Sequence, residues 1–213
     1  MKWPDDYINQ ILCGNCLEVM KGIPDKSIDL ILTDPPYGVN LKYESYNDTE
    51  ENWFNLFTSI IPEFKRISKM VIMPSCQISR LEWIYKNFPP DWLICWYKGS
   101  VGCSAYVGFN DWEPLLVYGK IHTKLHDYLH YNPSIEFQDY DHPCPKPLGW
   151  AKYLIKSATN ENNVVLDPFL GSGTTAVACK DLDRKYIGIE ISEKYCEIAR
   201  KRVERHIPNM RLF

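Results

Sequence analysis

Apolar residues recur along this chain in two rhythms. Short apolar runs bounded by turn residues fall at Ile11–Cys13, Ile28–Thr33, Met70–Met73, Trp92–Tyr97, Leu115–Tyr118, Val164–Asp167 and Tyr186–Glu190. Such runs read as buried strands. Between them, apolar positions return every three or four residues, which lines one face of a helix. The clearest case is Glu50–Ser68, where Trp53, Leu56, Phe57, Ile60, Ile61, Phe64 and Ile67 share a side. Further helices are expected at Ile78–Asn87, Leu148–Ser157, Thr174–Leu182 and Glu193–His206, the last with Ser192 as its N-cap. Strands alternating with helices predict parallel βαβ units in an α/β domain. Two segments follow neither rhythm: Gly38–Asp48, polar and aromatic, and about Ile121–Pro147, rich in His, Tyr, Asp and Pro. Irregular stretches of that length in a compact domain are functional loops or disordered ones.

Size and charge narrow the picture. A chain of 213 residues suits one well-buried α/β domain, spanning 1–213, and is short for two. No repeat or linker-like shift in composition divides it. The formal net charge of −3 excludes a chain coated in positive charge, so any nucleic acid must meet a local face. Eight cysteines without framework spacing point to a reducing compartment. With no apolar run long enough for a signal peptide or a membrane span, the expected location is the cytosol.

Two strand ends carry candidate chemistry. The string Val164-Val-Leu-Asp-Pro-Phe-Leu-Gly-Ser-Gly-Thr-Thr-Ala-Val-Ala-Cys179 reads as a buried strand, a glycine turn at Gly171 and Gly173, and a helix opening at Thr174. A second strand ends in Glu190, 19 residues beyond Gly171, where a carboxylate can accept both hydroxyls of a ribose. On spacing alone this is an adenosine-type cofactor site or an ordinary tight βα turn. A dinucleotide fingerprint is incomplete, because Ala176 stands at its third glycine, and no phosphate-loop lysine follows. The other strand end is Asp34-Pro-Pro-Tyr37, which alone could be a turn capping a sheet. Cys13-Gly-Asn-Cys16 has zinc-ligand spacing, but a second ligand pair is not evident beyond His142 and Cys144, and no metal is expected.

Together the motifs resemble a family. Asp167-Pro-Phe-Leu-Gly-Ser-Gly-Thr-Thr175 is similar to the signature of amino-group DNA methyltransferases, and His142-Pro-Cys-Pro-Lys-Pro147 to their cofactor segment. Asp34-Pro-Pro-Tyr37 resembles the motif of adenine-N6 enzymes, whereas cytosine-N4 enzymes more often begin it with Ser. Because the catalytic motif precedes the glycine motif, the chain resembles the circularly permuted β group. The resemblance runs from about Leu12 to Val203. It implies a Rossmann-like, seven-stranded, mostly parallel sheet with one reversed strand, and S-adenosylmethionine as cofactor. It implies that Asp167, Phe169, Gly171 and Gly173 wrap the methionine portion, that Glu190 binds the ribose, and that Lys146 and Pro147 lie over the cofactor. Pro168, Ser172, Thr174, Ile191 and Asp34 complete that lining. The family carries Gly-Asp-Cys where this chain has Gly14-Asn15-Cys16, so the Asn15 amide oxygen is expected to meet the cofactor's adenine.

The residue types suit the implied chemistry. An exocyclic amine conjugated with its ring is a poor nucleophile. Accepting hydrogen bonds from both its hydrogens frees the lone pair, and the Asp34 carboxylate and Pro35 carbonyl are suitable acceptors. Pro35 and Pro36 hold the turn rigid and bring no N–H of their own. Tyr37 can stack on a base rotated out of double-stranded DNA. Asp111-Trp-Glu-Pro-Leu-Leu-Val-Tyr118 resembles the segment that walls the target-base pocket, where Trp112 or Phe109 could meet the base. In the family the region that reads DNA lies between the two halves, which here leaves about 121–141 together with the Gly38–Asp48 loop. The resemblance therefore implies a short or relaxed target sequence, or a second subunit completing the clamp, as in a homodimer. Rival readings are a cytosine-N4 DNA methyltransferase, an RNA adenine-N6 methyltransferase, a silent nucleic-acid-binding subunit and a nicotinamide oxidoreductase.

Overall fold

The computed structural model describes residues 1–43, 45–74, 78–99, 108, 110–120, 125–132 and 146–207. Its strands are β1 (Gln10–Cys13), β2 (Leu30–Leu32), β3 (Met70–Pro74), β4 (Trp92–Tyr97), β5 (Trp112–Gly119), β6 (Tyr128–His130), β7 (Val164–Asp167) and β8 (Lys185–Glu190). They form one sheet in the order β1-β8-β7-β2-β3-β5-β4-β6. All neighbours run parallel except β5, which is antiparallel to both β3 and β4. The expected single reversed strand is therefore β5. All seven expected strands are present, and β6 adds an eighth at the edge, inside the segment read as irregular. It pairs with β4 through Cys95↔Tyr128 and Tyr97↔His130. Three residues are too few to show an alternation, so only edge pairing reveals this strand.

Period-two alternation sorts the central side chains onto two faces. Ile31, Val71, Met73, Leu116 and Tyr118 join a core on one face with α1 (Cys16–Met20), α2 (Glu50–Ile67) and α3 (Leu81–Asn87). Leu30, Leu32, Ile72, Leu115 and Val117 face α4 (Leu148–Ala158) and α5 (Thr174–Asp181). Strands β2 and β3 are buried throughout, as parallel strands covered on both faces must be. The last helix, α6 (Glu193–Arg205), packs Cys196, Ala199 and Val203 against α5 and Ile11.

Helix α2 follows its predicted bounds because several local choices agree. Thr49 caps it by accepting from Asn52 N–H at 3.2 Å, Glu50 and Glu51 open it, and Lys65 and Arg66 close it. Ser192 occupies the N-cap of α6 by backbone, but its side chain makes no capping bond. Helix α1 was not visible as periodicity; its five residues are started by Asn15, whose side chain accepts from Leu17 N–H. Among the described residues no helix is long and apolar enough to cross a membrane.

Strands β2 and β7 are adjacent and parallel, with Ile31 opposite Leu166. The chain leaving β2 turns toward β3, and the chain leaving β7 turns the other way, toward β8. Their loops therefore diverge at the carboxyl edge and open a crevice between them, the usual ligand position of such sheets.

Candidate active site

The two strand ends are tied through a buried carboxylate. Asp167, at the end of β7, accepts from Thr33 Oγ1 at 2.6 Å, Thr175 Oγ1 at 2.6 Å and Phe169 N–H at 3.1 Å. Thr33 directly precedes Asp34, so this bond locks the two motifs together. Burial pushes the Asp167 carboxyl up to about 6; the three donors oppose that rise and the charge of Asp34 adds to it.

Glu190, closing β8, is fixed by two main-chain donors. Gly171 N–H donates to Oε2 and Ser192 N–H to Oε1, each at 2.9 Å. A carboxylate has about four lone-pair positions, so both oxygens retain one for a ligand. Gly171 takes φ +53°, and Gly173 takes φ +90°. A side chain at Gly173 would sit 3.0 Å from Ala199 Cβ, so the second glycine of the turn lets α6 close on the start of α5. Arg202 on α6 reaches back to Ser172 O and Thr174 Oγ1 at 3.1 and 3.0 Å. Thr174 Oγ1 in turn donates to Lys146 O at 3.2 Å, which hangs Lys146 from the helix start.

Across the crevice, both oxygens of Asp34 are engaged. Tyr37 OH donates to Oδ1 at 2.6 Å and Lys146 Nζ forms an ion pair with Oδ2. Lys146 also lies 5.3 Å from the centre of the Tyr37 ring. Burial holds the Tyr37 phenol well above its ordinary range, reinforced by the negative charges of Asp34 and Glu113, so it remains a proton donor. Glu113 is itself buried and bonded by Lys98 Nζ at 3.0 Å.

One cleft collects these groups. It contains about 1190 Å³ of space, its open mouth included, and Asp34, Pro35, Pro36, Tyr37, Lys146, Asp167, Phe169, Gly171, Ser172, Thr174, Glu190 and Ile191 all line it. Five candidate residues lie outside that lining. Gly173 backs onto Ala199, Pro147 caps α4 by backbone, and Pro168 is buried. Cys16 is buried in the core, and the Asn15 oxygen accepts from Leu17 N–H at 2.9 Å. Cys13 and Cys16 do not form a ligand pair: Cys13 is exposed, and its thiol groups with Cys196 and Glu193, where Arg200 holds the carboxylate at 2.9 Å. His142, Cys144 and Phe109 lie outside the described residues. Trp112 is 39% exposed at the start of β5.

Sequence reasoning did not single out Thr33 and Thr175, although a threonine beside each motif was the available signal. Nor did it single out Leu41, Tyr43, Ser45 and Tyr46, which the 38–48 loop brings to the cleft, or Tyr195 from α6.

Comparison with known proteins gives a consistent picture. A family model described as DNA methylase, of the N6/N4 type, matches residues 96–201. The chain is 30% identical to the Type II methyltransferase M.HinfI of Haemophilus influenzae over 96% of its length and 71% of that protein's. It is 28% identical to the DNA adenine methyltransferase YhdJ of Escherichia coli strain K12, over 91% and 82% of the two chains. Among solved structures, the M1.HpyAVI–SAM complex superposes with a TM-score of 0.69 at 25% identity, covering 91% of this chain and 98% of that one. The cytosine-N4-specific PvuII DNA methyltransferase superposes at 0.71 with 16% identity, over 94% and 87%, a likeness of fold.

Proposed function

Since the chain belongs to the N6/N4 DNA methylase family, we propose that it transfers a methyl group from S-adenosylmethionine to N6 of adenine in double-stranded DNA. The observation that carries this reading is the joining of Asp34 to the Asp167–Glu190 cleft through the Thr33–Asp167 hydrogen bond.

The residues present fit the cofactor. Glu190 offers two free lone pairs, one on each oxygen, at the spacing of a ribose diol. Gly171 leaves its backbone open to close approach, and Phe169 and the exposed Ile191 give apolar walls on either side. Bound S-adenosylmethionine supplies an electrophilic methyl group on a sulfonium sulfur. Everything else falls to this chain. Tyr37 offers its ring as the stacking surface for a base rotated out of the duplex. Asp34 accepts one hydrogen of the target amine and the Pro35 carbonyl the other, which draws the nitrogen lone pair out of conjugation. To do so Asp34 gives up its bond from Tyr37 OH or shares Oδ2 with Lys146, so the resting contacts hold the carboxylate where the amine will be. After transfer the nitrogen carries a surplus proton, and Asp34 is the base within reach to take it.

Adenine is favoured over cytosine by the aspartate that opens the motif, and the relative named for adenine methylation supports the same choice. Digestion of plasmid DNA from cells expressing the chain, followed by mass spectrometry of the nucleosides, tests this. N6-methyladenine is expected. N4-methylcytosine in its place, or methylation found in RNA alone, overturns the reading.

A further inference from the structure

Directly after the catalytic turn, the backbone of residues 37–41 is gripped from both sides by two buried charged side chains that neither the motifs nor the cleft lining include. Asp48 is 2% exposed and accepts three main-chain donors: Gly38 N–H at Oδ1, and Val39 and Leu41 N–H at Oδ2, the latter two at 3.1 Å. Arg80 is 5% exposed and donates from Nη1 to Tyr37 O at 2.8 Å and from Nη2 to Gly38 O at 2.9 Å. The guanidinium lies against the Trp53 ring, 4.6 Å from its centre. Gly38 takes φ +63°, and a Cβ there would stand 2.6 Å from both Arg80 Nη1 and Trp53 Cβ. The peptide joining Tyr37 to Gly38 is thus held at its carbonyl by arginine and at its N–H by aspartate.

We infer that Asp48 and Arg80 are positioning residues for methyl transfer: by fixing that peptide they aim the Tyr37 ring and keep its hydroxyl on Asp34. The inference rests on the reading of Asp34–Tyr37 as the catalytic turn. Neither side chain lines the cleft, so neither touches substrate. Charge-assisted bonds to a buried main chain are strong, and a neutral or shorter replacement leaves buried donors or acceptors unsatisfied. The same clamp sets where the chain departs toward Leu41, Tyr43 and Tyr46, which line the cleft.

A double-mutant cycle on the full chain tests it. Asp48→Asn is expected to lower kcat about 10- to 100-fold through misplacement of Tyr37, while cofactor affinity stays within about threefold. In a Tyr37→Ala background the same substitution is expected to change kcat by less than about twofold, because the group it acts through is gone. Equal losses in both backgrounds, or no loss in either, overturn the inference. Arg80→Met removes the donors to both carbonyls, and carries the same cycle should Asp48→Asn fail to fold. Hydrogen exchange supplies a readout that needs no DNA. Either variant is expected to speed amide exchange over residues 37–41 at least about tenfold, with 164–175 unchanged; unaltered exchange over 37–41 overturns the inference. If the unaltered protein methylates no DNA, the proposed function fails, and the exchange result still decides the clamp.

Discussion

Asp34 has both carboxylate oxygens occupied before any substrate arrives, and Glu190 has each of its oxygens held by a backbone N–H. On the function proposed above the two acids divide the work, and their replacements should fail in different ways. Asp34→Ala is expected to lower transfer by at least about 100- to 1000-fold, with the cofactor dissociation constant changed less than about threefold. Glu190→Ala is expected to weaken cofactor binding about 10- to 100-fold, the worth of bonds to a charged acceptor. Single-turnover kinetics and calorimetry separate these outcomes, and a binding loss confined to the Asp34 variant reverses the assignment. Asp167 adds a pH dependence. Its carboxyl is raised to about 6 by burial, so it is ionised above that pH and protonated below. Cofactor affinity should fall toward about tenfold per pH unit below 6 if the negative form is the one that binds the sulfonium. The Asp167→Asn variant should show no such step in titrations from pH 5 to 8. For stability the sign is the opposite of a salt-bridged acid. Between about 4 and 6 the native chain holds a proton that the unfolded chain has lost, so stability falls as pH rises across that window and is constant above it.

Among the elements, the second glycine of the cofactor turn has a structural duty. Gly173 stands at φ +90° against Ala199, whose Cβ would lie 3.0 Å from an added methyl group, tighter than ordinary contact. Gly173→Ala should destabilise the fold by about 1–3 kcal/mol through backbone strain and displacement of α6, read as a lower urea midpoint. A variant as stable as the parent would mean that α6 slides freely. Helix α2 was legible because capping, charge bias and a three-to-four spacing all agree over 18 residues. Helix α1 and strand β6, of five and three residues, were not. Each is shorter than the period a pattern needs, and each exists because something else meets it: a side-chain cap at Asn15, and the open edge of β4. The amide oxygen of Asn15, expected at the cofactor's adenine, accepts one bond within the chain and keeps a second lone pair.

For the molecule as a whole, the order of strands in the sheet brings the two motifs together. Asp34 and Asp167 are far apart in sequence, but β2 and β7 are neighbours in the sheet. With a net charge of −3, any DNA has to meet a local face rather than a surface that is basic throughout. We expect methylation of a randomised duplex library to depend on fewer than six fixed base pairs; a requirement for six or more contradicts a reduced recognition region. A second copy of the chain completing the clamp would show itself as a transfer rate rising with the square of protein concentration.

The amino-acid sequence alone determined the longer strands and helices, where the two motifs end their strands, and hence the family chemistry they can support. Those are local facts, written in spacing, in turn residues and in the kinds of side chain present. Only the tertiary structure decided how the motifs are held. The Thr33–Asp167 bond, the hold of Lys146 on Asp34, and the grip of Asp48 and Arg80 on the turn join residues from different strands, helices and loops. No periodicity encodes such pairs, because their partners are chosen by sheet order and by the burial of charge, which exist only once the chain has folded.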